Sequence, residues 1–260
     1  MLRRTRFLWI NGWATTGEVW APLFSEMAWA QHEVVEIGEW FSQAKGELDQ
    51  VVSWAVQSIE RHAQTAKEAN ESWALVGWSL GGVLAQRAIA EFKNIDADFC
   101  GLFLIGATTN FIAAPPTSGW PAAVVRRMQT QLLKSEQHTD VVLHHFFERA
   151  YEREAEQEIA STLSNIINIW RPEGLHLGLE ALVTWDTLEI FEQLQRNRIP
   201  MFWLHGLKDS ICPQGAINRS ESMKGVVTTW ESAGHAPFLE APRLVSKWFG
   251  ESLGGMHEKR

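Results

Sequence analysis

A serine flanked by glycines follows a short apolar stretch, in the pattern Gly77-x-Ser79-x-Gly81. Ala74–Val76 is typical of a buried strand, and residues 80–92 have the apolar spacing of a helix. At such a junction the pattern predicts a sharp strand-to-helix turn that presents the serine hydroxyl above the sheet. An ordinary Gly-Ser turn is the alternative. Because a serine in this position is typically a nucleophile, we interpret Ser79 as one.

A serine hydroxyl is a weak nucleophile, so it needs a base, and the base needs a carboxylate that orients it. Asp209 and His235 each follow a predicted strand directly. Since ligands bind at the carboxyl ends of parallel strands, we expect both side chains near Ser79. Asp209 as a turn residue and His235 as a helix-entry histidine are the alternatives. Asp186 is the reserve acid, although it lies in a helical pattern rather than after a strand.

An oxyanion hole requires two main-chain N–H groups close to the nucleophile. Leu80 follows Ser79 directly and is expected to supply one of them. The loop after the first predicted strand, Asn11-Gly12-Trp13, is expected to supply the other from Trp13. Simple core packing of the Trp13 side chain is the alternative, but its N–H can act in either case.

Alternating strands and helices predict an α/β protein with a mostly parallel sheet of about six strands, covered by helices on both faces. The predicted strands are Phe7–Ile10, Val34–Ile37, Ala74–Val76, Leu102–Ile105, Met201–His205 and Val226–Trp230. Helical patterns occur at about 48–69, 80–92, 180–196 and 241–253. Residues 112–178 contain helical patterns and no strand candidate. We therefore expect a core of residues 1–111 and 179–260, with 112–178 inserted as a helical lid over the carboxyl edge of the sheet.

The composition excludes several classes of protein. A net charge of −8 argues against a nucleic-acid-binding protein. The two cysteines, Cys100 and Cys212, lack C-x-x-C spacing and are expected to be buried thiols in a reducing compartment. The apolar run Phe7–Ile10 is too short for a signal peptide or a membrane span. With no metal-ligand cluster and no phosphate-binding loop visible, we expect a cytoplasmic monomer without metal or cofactor.

Several segments together resemble one family of enzymes. They are Gly77-Trp78-Ser79-Leu80-Gly81-Gly82, Asn11-Gly12-Trp13, Gly119-Trp120-Pro121, Gly178-Leu179-Glu180 and Ala236-Pro237-Phe238. From about Trp9 to Phe249 the chain is similar to the pimeloyl-[acyl-carrier protein] methyl ester esterases of biotin synthesis, within the α/β-hydrolase superfamily. The order Ser79, Asp209, His235 is the order of the triad in that superfamily. The family usually has His-Gly where this chain has Asn11-Gly12.

The resemblance implies an α/β-hydrolase fold and a serine carboxylesterase that cleaves the methyl ester of pimeloyl-acyl carrier protein and releases methanol. An acyl carrier protein is strongly acidic, so Arg149 and Arg153, one helical turn apart in the lid, are the expected docking residues. A solvated helix with mixed ion pairs explains these arginines equally well.

We expect the substrate to contact Trp13, Leu80 and His235, with Leu143, Phe146 and Phe147 as the wall of an acyl channel. Ordinary packing within the lid accounts for the last three residues equally well. A broad small-ester hydrolase, a C–C-bond hydrolase and a noncatalytic ligand-binding relative remain the alternative functions.

Overall fold

A six-stranded sheet forms the centre of the molecule in a computed structural model that describes residues 3–112, 119–150, 166–217, 223 and 226–257. The strands are β1 (Thr5–Ile10), β2 (Gln31–Val35), β3 (Ser72–Trp78), β4 (Phe99–Ile105), β5 (Met201–Gly206) and β6 (Val227–Trp230). Their order is β2-β1-β3-β4-β5-β6, and every neighbouring pair is parallel. The expected α/β architecture with about six strands is confirmed.

Helices connect these strands and cover both faces of the sheet. They are α1 (Ala21–Glu26), α2 (Ile37–Gln43), α3 (Leu48–Glu68), α4 (Leu80–Glu91), α5 (Ala122–Leu132), α6 (Glu136–Ala150), α7 (Pro172–Thr184), α8 (Leu188–Arg196), α9 (Pro237–Glu240) and α10 (Pro242–His257). The short helices α1, α2 and α9 were not among the predicted helices, and two boundaries also differ. Ile37 begins α2 instead of ending β2, and the helix expected over 180–196 is two helices separated by Trp185–Thr187.

The strands bury both of their faces, as expected for a sheet with helices on each side. Every residue of β4 is buried. Along this strand, Leu102 and Leu104 pack with α3 and α4, while Phe103 and Ile105 pack with α1 and α10 on the other side. Continuous apolar strands of this kind are typical of parallel sheets, because neither face meets water.

Most of the tryptophans fill this core. Trp9 and Trp20, for example, are fully buried with ring centroids 4.9 Å apart. Fourteen tryptophans in 260 residues could line a pocket or an interface, or act as core filler, and the structure favours the second interpretation.

The inserted segment follows β4 and contributes α5 and α6. Helix α7 packs against both α2 and α5, and it crosses the boundary that the sequence suggested at residue 178. Two indoles join this segment to the loop after β1: Trp13 Nε1 donates to the carbonyl oxygen of Leu175 at 2.9 Å, and Trp170 Nε1 donates to that of Thr15 at 2.8 Å. Among the described helices, none combines the length and apolar character needed to cross a membrane.

Candidate active site

Ser79 lies at the turn between β3 and α4 in a backbone conformation that few residues adopt, with φ 54° and ψ −123°. Such a conformation costs a non-glycine residue about 1–3 kcal/mol, and functional sites are where it is usually found. The neighbouring glycines permit the turn. A Cβ on Gly77 would lie 2.6 Å from the carbonyl oxygen of Gly81, and a Cβ on Gly81 would collide with the carbonyl oxygens of Ile10 and Asn11. The sharp turn expected from the sequence is therefore present.

Asp209 and His235 meet at the carboxyl edge of the sheet, in the loops that follow β5 and β6. His235 Nδ1 lies 2.8 Å from Asp209 Oδ2, and both side chains are buried. The other carboxylate oxygen, Oδ1, accepts the main-chain N–H groups of Ile211 at 2.8 Å and Cys212 at 2.7 Å. Three acceptor contacts fix the orientation of this carboxylate, which in turn fixes the imidazole ring.

Two residues outside the expected set hold His235 beside the serine. Trp78, which precedes Ser79, donates its indole N–H to the main-chain oxygen of His235 at 2.9 Å. Gly106, just after β4, has φ +50°, and a Cβ there would lie 2.6 Å from the same oxygen and 3.3 Å from His235 Nδ1. The sequence contained one signal for Gly106, its place directly after an apolar strand, but it did not indicate how closely the histidine approaches.

His235 Nε2, the nitrogen that would accept the serine proton, is buried and makes no hydrogen bond with the described residues. The side chains of Ser79 and His235 are therefore not in hydrogen-bond contact. Such contacts are often long in a ligand-free enzyme and shorten when substrate binds.

The loop after β1 lies against the turn that carries Ser79. A Cβ on Gly12 would be 3.3 Å from the Ser79 Cβ, so only a glycine allows this approach without displacement. Asn11 is fully buried and donates through Nδ2 to the main-chain oxygen of Thr15, whose hydroxyl donates to the Gly12 oxygen at 2.9 Å. Asn11 therefore stabilises the shape of the loop in which Trp13 follows.

Leu80 is the first residue of α4, where a main-chain N–H has no partner within the helix. Its N–H and that of Trp13 remain our proposed oxyanion donors. Both side chains are buried, so a contact with substrate would involve their main chain more than their side chains.

Asp186, the reserve acid, lies elsewhere. Its carboxylate accepts a hydrogen bond from Asn110 Nδ2 at 2.9 Å and one from the main-chain N–H of Leu188 at 3.0 Å, at the start of α8. The carboxylate that contacts His235 is that of Asp209.

Two further titratable groups surround the carboxylate of Asp209. His205, at the end of β5, is fully buried, and its Nε2 lies 3.8 Å from Asp209 Oδ2. Burial lowers the pKa of His205, although the charge of Asp209 acts in the opposite direction. Burial, and then the charge of Asp209, raise the pKa of the Cys212 thiol. Both groups are therefore neutral at neutral pH.

The structure also forms a potential metal-ligand group that the sequence spacing did not suggest. Ligand atoms of Asp209, Cys212 and His235 all lie within 4.8 Å of one another, and all three residues are buried. The third member comes from a different loop, so no short motif reveals the group.

The lid residues expected to contact substrate pack near this edge of the sheet. The Phe146 ring meets the Trp13 ring edge to face at 4.8 Å, and the Phe147 ring lies 5.8 Å from that of Phe146. Leu143 is fully buried. Phe146 therefore adjoins the loop of the proposed oxyanion hole, whereas an acyl channel along all three residues stays a prediction.

A cleft of about 620 Å³ lies between α5 and α6. Its apolar lining includes Val142 and Phe146, and its cationic or titratable side chains are Arg127, His138, His145 and Arg149. The Arg149 guanidinium lies 5.0 Å from the centre of the Trp120 ring. Arg153, the second expected docking residue, falls outside the described residues.

The chain is similar to known proteins over most of its length. Residues 7–248 match the model of the alpha/beta hydrolase family, and the chain belongs to that family. A pimeloyl-[acyl-carrier protein] methyl ester esterase of Xanthomonas axonopodis pv. citri is 28% identical over 254 residues, covering 92% of this chain and 90% of its own. A protein of the same name from Pseudoalteromonas atlantica is 26% identical over 242 residues, covering 90% of this chain and 88% of its own.

Solved structures share the fold. An esterase from Exiguobacterium antarcticum superposes with a TM-score of 0.70 at 14% identity, covering 98% of this chain and 93% of its own. A bromoperoxidase from Bacillus anthracis gives 0.73 at 18% identity, covering 97% and 93%. The family, the names of the relatives and the serine-containing site place the chain among the carboxylic ester hydrolases.

Proposed function

We propose that the chain hydrolyses the methyl ester of an acyl chain carried on an acyl carrier protein, pimeloyl-acyl carrier protein methyl ester above all, through an acyl-enzyme on Ser79. The observation that carries the proposal is the 2.8 Å hydrogen bond between His235 and Asp209, formed beside a serine held in a strained turn. The names of the relatives supply the substrate.

The proposed reaction has two halves. Ser79 Oγ attacks the ester carbonyl while its proton passes to His235 Nε2, and the carbonyl oxygen takes up negative charge between the N–H groups of Trp13 and Leu80. The bond to methoxide then breaks, and His235 returns the proton to release methanol. Water attacks the acyl-enzyme in the same way and frees the carboxylate. Asp209 stabilises the imidazolium that forms in each half.

The cleft between α5 and α6, whose lining includes Phe146 but none of Ser79, Asp209 and His235, supports an acidic, acyl-bearing partner. Its apolar lining suits a chain of methylene groups, and Arg127 and Arg149 provide positive charge on a protein whose net charge is −8. Rim charges of this kind mainly set the rate of encounter and its dependence on salt. We therefore assign the docking of the carrier to Arg149, and the assignment of Arg153 rests on the sequence alone.

Replacement of the nucleophile tests the chemistry. Ser79→Ala should lower turnover of a short p-nitrophenyl ester by several orders of magnitude and leave the circular dichroism spectrum unchanged. A fluorophosphonate should label the parent enzyme at Ser79, as read by mass spectrometry. If Ser79→Ala keeps more than about a tenth of the parent rate, it loses less than roughly 1.4 kcal/mol of transition-state stabilisation. That result would falsify the assignment of Ser79 as the nucleophile.

Charge reversal in the lid tests the substrate. Arg149→Glu should lower kcat/KM for the carrier-bound methyl ester, most strongly at low ionic strength, and barely affect a small soluble ester. Arg243→Glu is the matched control, because Arg243 is exposed on α10, outside the lid. Equal losses on both esters would mean that Arg149 supports the lid fold. Failure of the chain to restore growth without biotin, in a strain that lacks its own methyl esterase, would contradict the proposed pathway.

A further inference from the structure

The carboxylate and imidazole of the proposed triad have a third neighbour that the ester-hydrolysis reaction does not use. Among the described residues, Cys212 joins Asp209 and His235 in one group of ligand atoms, all within 4.8 Å of one another. Each of these residues is nearly inaccessible to solvent. A thiol, a carboxylate and an imidazole that converge in this way form three of the four positions of a tetrahedral metal site.

His205 is a candidate for the fourth position. Its ring is fully buried and interacts with the main chain of Cys212, another member of the group. Its Nε2 faces the same oxygen of Asp209 that contacts His235, at 3.8 Å.

The donor chemistry selects the ion. Thiolate and imidazole favour Zn²⁺ over Mg²⁺ or Ca²⁺, which prefer oxygen ligands. Zinc–ligand distances of about 2.0–2.3 Å place tetrahedral donors roughly 3.3–3.7 Å apart. The 3.8 Å between His205 and Asp209 is close to that value, and the widest separation in the group needs to contract by about 1 Å.

We propose that Cys212, Asp209 and His235, with His205 as the fourth donor, form an inhibitory Zn²⁺ site that switches the enzyme off. The binding of Zn²⁺ does not depend on the proposed function, whereas the predicted inhibition of ester hydrolysis rests on that function. The ion is a reversible inhibitor and takes no part in the reaction.

The proton balance explains the inhibition. Cys212 releases its thiol proton to solvent as the sulfur–zinc bond forms. If His235 binds the ion through Nε2, the base is occupied. If it binds through Nδ1, the ring keeps its proton on Nε2 and cannot accept the proton of Ser79. In either case the nucleophile loses its base.

Zinc titration of the full chain, first treated with a chelator and then freed of it, tests the inhibition with a small p-nitrophenyl ester as the reporter. Zn²⁺ should inhibit the parent enzyme, and EDTA should restore the full rate. Cys212→Ala and His205→Leu should each raise the inhibitory zinc concentration at least tenfold. Cys100→Ala is the matched control, because Cys100 is the other buried cysteine and lies on β4, away from the group. It should be inhibited like the parent.

Cobalt(II) tests the binding without reference to activity. The parent and Cys100→Ala should show a thiolate-to-cobalt charge-transfer band that Cys212→Ala lacks. Cys212→Ser replaces the alanine variant if that variant does not fold by circular dichroism. Equal zinc inhibition of Cys212→Ala and the parent, or absence of the thiolate band, would overturn the proposal. If the zinc-free enzyme hydrolyses no ester, the proposed function fails, while the cobalt band still decides whether the metal site exists.

Discussion

Gly106 provides a direct test of how the base is positioned, because its substitution acts on His235 without removing any functional group. Its φ of +50° lies in the left-handed region, and a Cβ there would lie 2.6 Å from the His235 main-chain oxygen. Gly106→Ala therefore adds a methyl group that would lie closer to the His235 oxygen than van der Waals contact permits. The histidine loop has to move.

The expected loss of stability has two contributions, one from the backbone conformation and one from overpacking. A left-handed conformation costs an L-residue roughly 1–2 kcal/mol, and overpacking by a methyl group costs about 1–3 kcal/mol. We expect the free energy of unfolding to fall by about 2–5 kcal/mol, which a domain with about 5–15 kcal/mol of stability can tolerate. A displacement of His235 by about 1 Å should lower kcat by about 10²-fold.

Gly46→Ala separates the cost of the left-handed conformation from the cost of overpacking. Gly46 has φ +91°, so an alanine there is also strained, but a Cβ would meet no atom within 4 Å. Urea unfolding and p-nitrophenyl ester hydrolysis should show a stability loss in both variants and an activity loss in Gly106→Ala alone. A folded Gly106→Ala enzyme with the parent kcat would refute the reasoning, as would an equal loss of activity in Gly46→Ala.

Two further predictions concern carboxylates. Asp209→Asn should lower kcat by about 10³–10⁴, because the amide no longer orients His235. Asp186→Asn should keep the parent rate. The opposite result would show that Asp186 is the acid and that our assignment of Asp209 is wrong. Glu33 accepts a hydrogen bond from His62 Nδ1 at 2.7 Å, which lowers its pKa below the ordinary 4.5 despite burial. Its contribution to stability is present above pH 4.5 and is lost as the pH falls through the lowered pKa. The free energy of unfolding should thus decrease less steeply in acid for Glu33→Gln than for the parent; identical slopes in urea titrations would contradict this.

The strands and the order of the candidate triad were predictable because they depend on local pattern. Apolar runs of strand length identified all six strands, and the residue that follows a parallel strand lies at the functional edge wherever the strand sits in the sheet. For that reason the sequence alone was enough to assign Ser79, Asp209 and His235 to the carboxyl edge of the sheet.

Contacts between distant segments could not be read in the same way. The closeness of Gly106 to His235 and of Cys212 to the triad depends on how three loops meet. The break at Trp185–Thr187 is fixed by tertiary contacts, since Thr187 donates its N–H to the Thr109 oxygen at 2.7 Å. Asp186 accepts the N–H of Leu188, the first residue of α8. An aspartate just ahead of a helical pattern is a start signal that could have divided 180–196.

The loop of the proposed acid is also attached to α6, in the proposed lid. Ser210, next to Asp209, donates its hydroxyl hydrogen bond to the main-chain oxygen of Arg149, at 2.9 Å. Because the acceptor belongs to the backbone, any amino acid at position 149 offers the same attachment. The Arg149 side chain, which we propose to contact the carrier, can therefore be replaced during evolution without loss of this hydrogen bond beside the proposed acid. If Arg149 docks the carrier as proposed, partner recognition can change at a position whose main-chain contact with the loop of Asp209 stays the same.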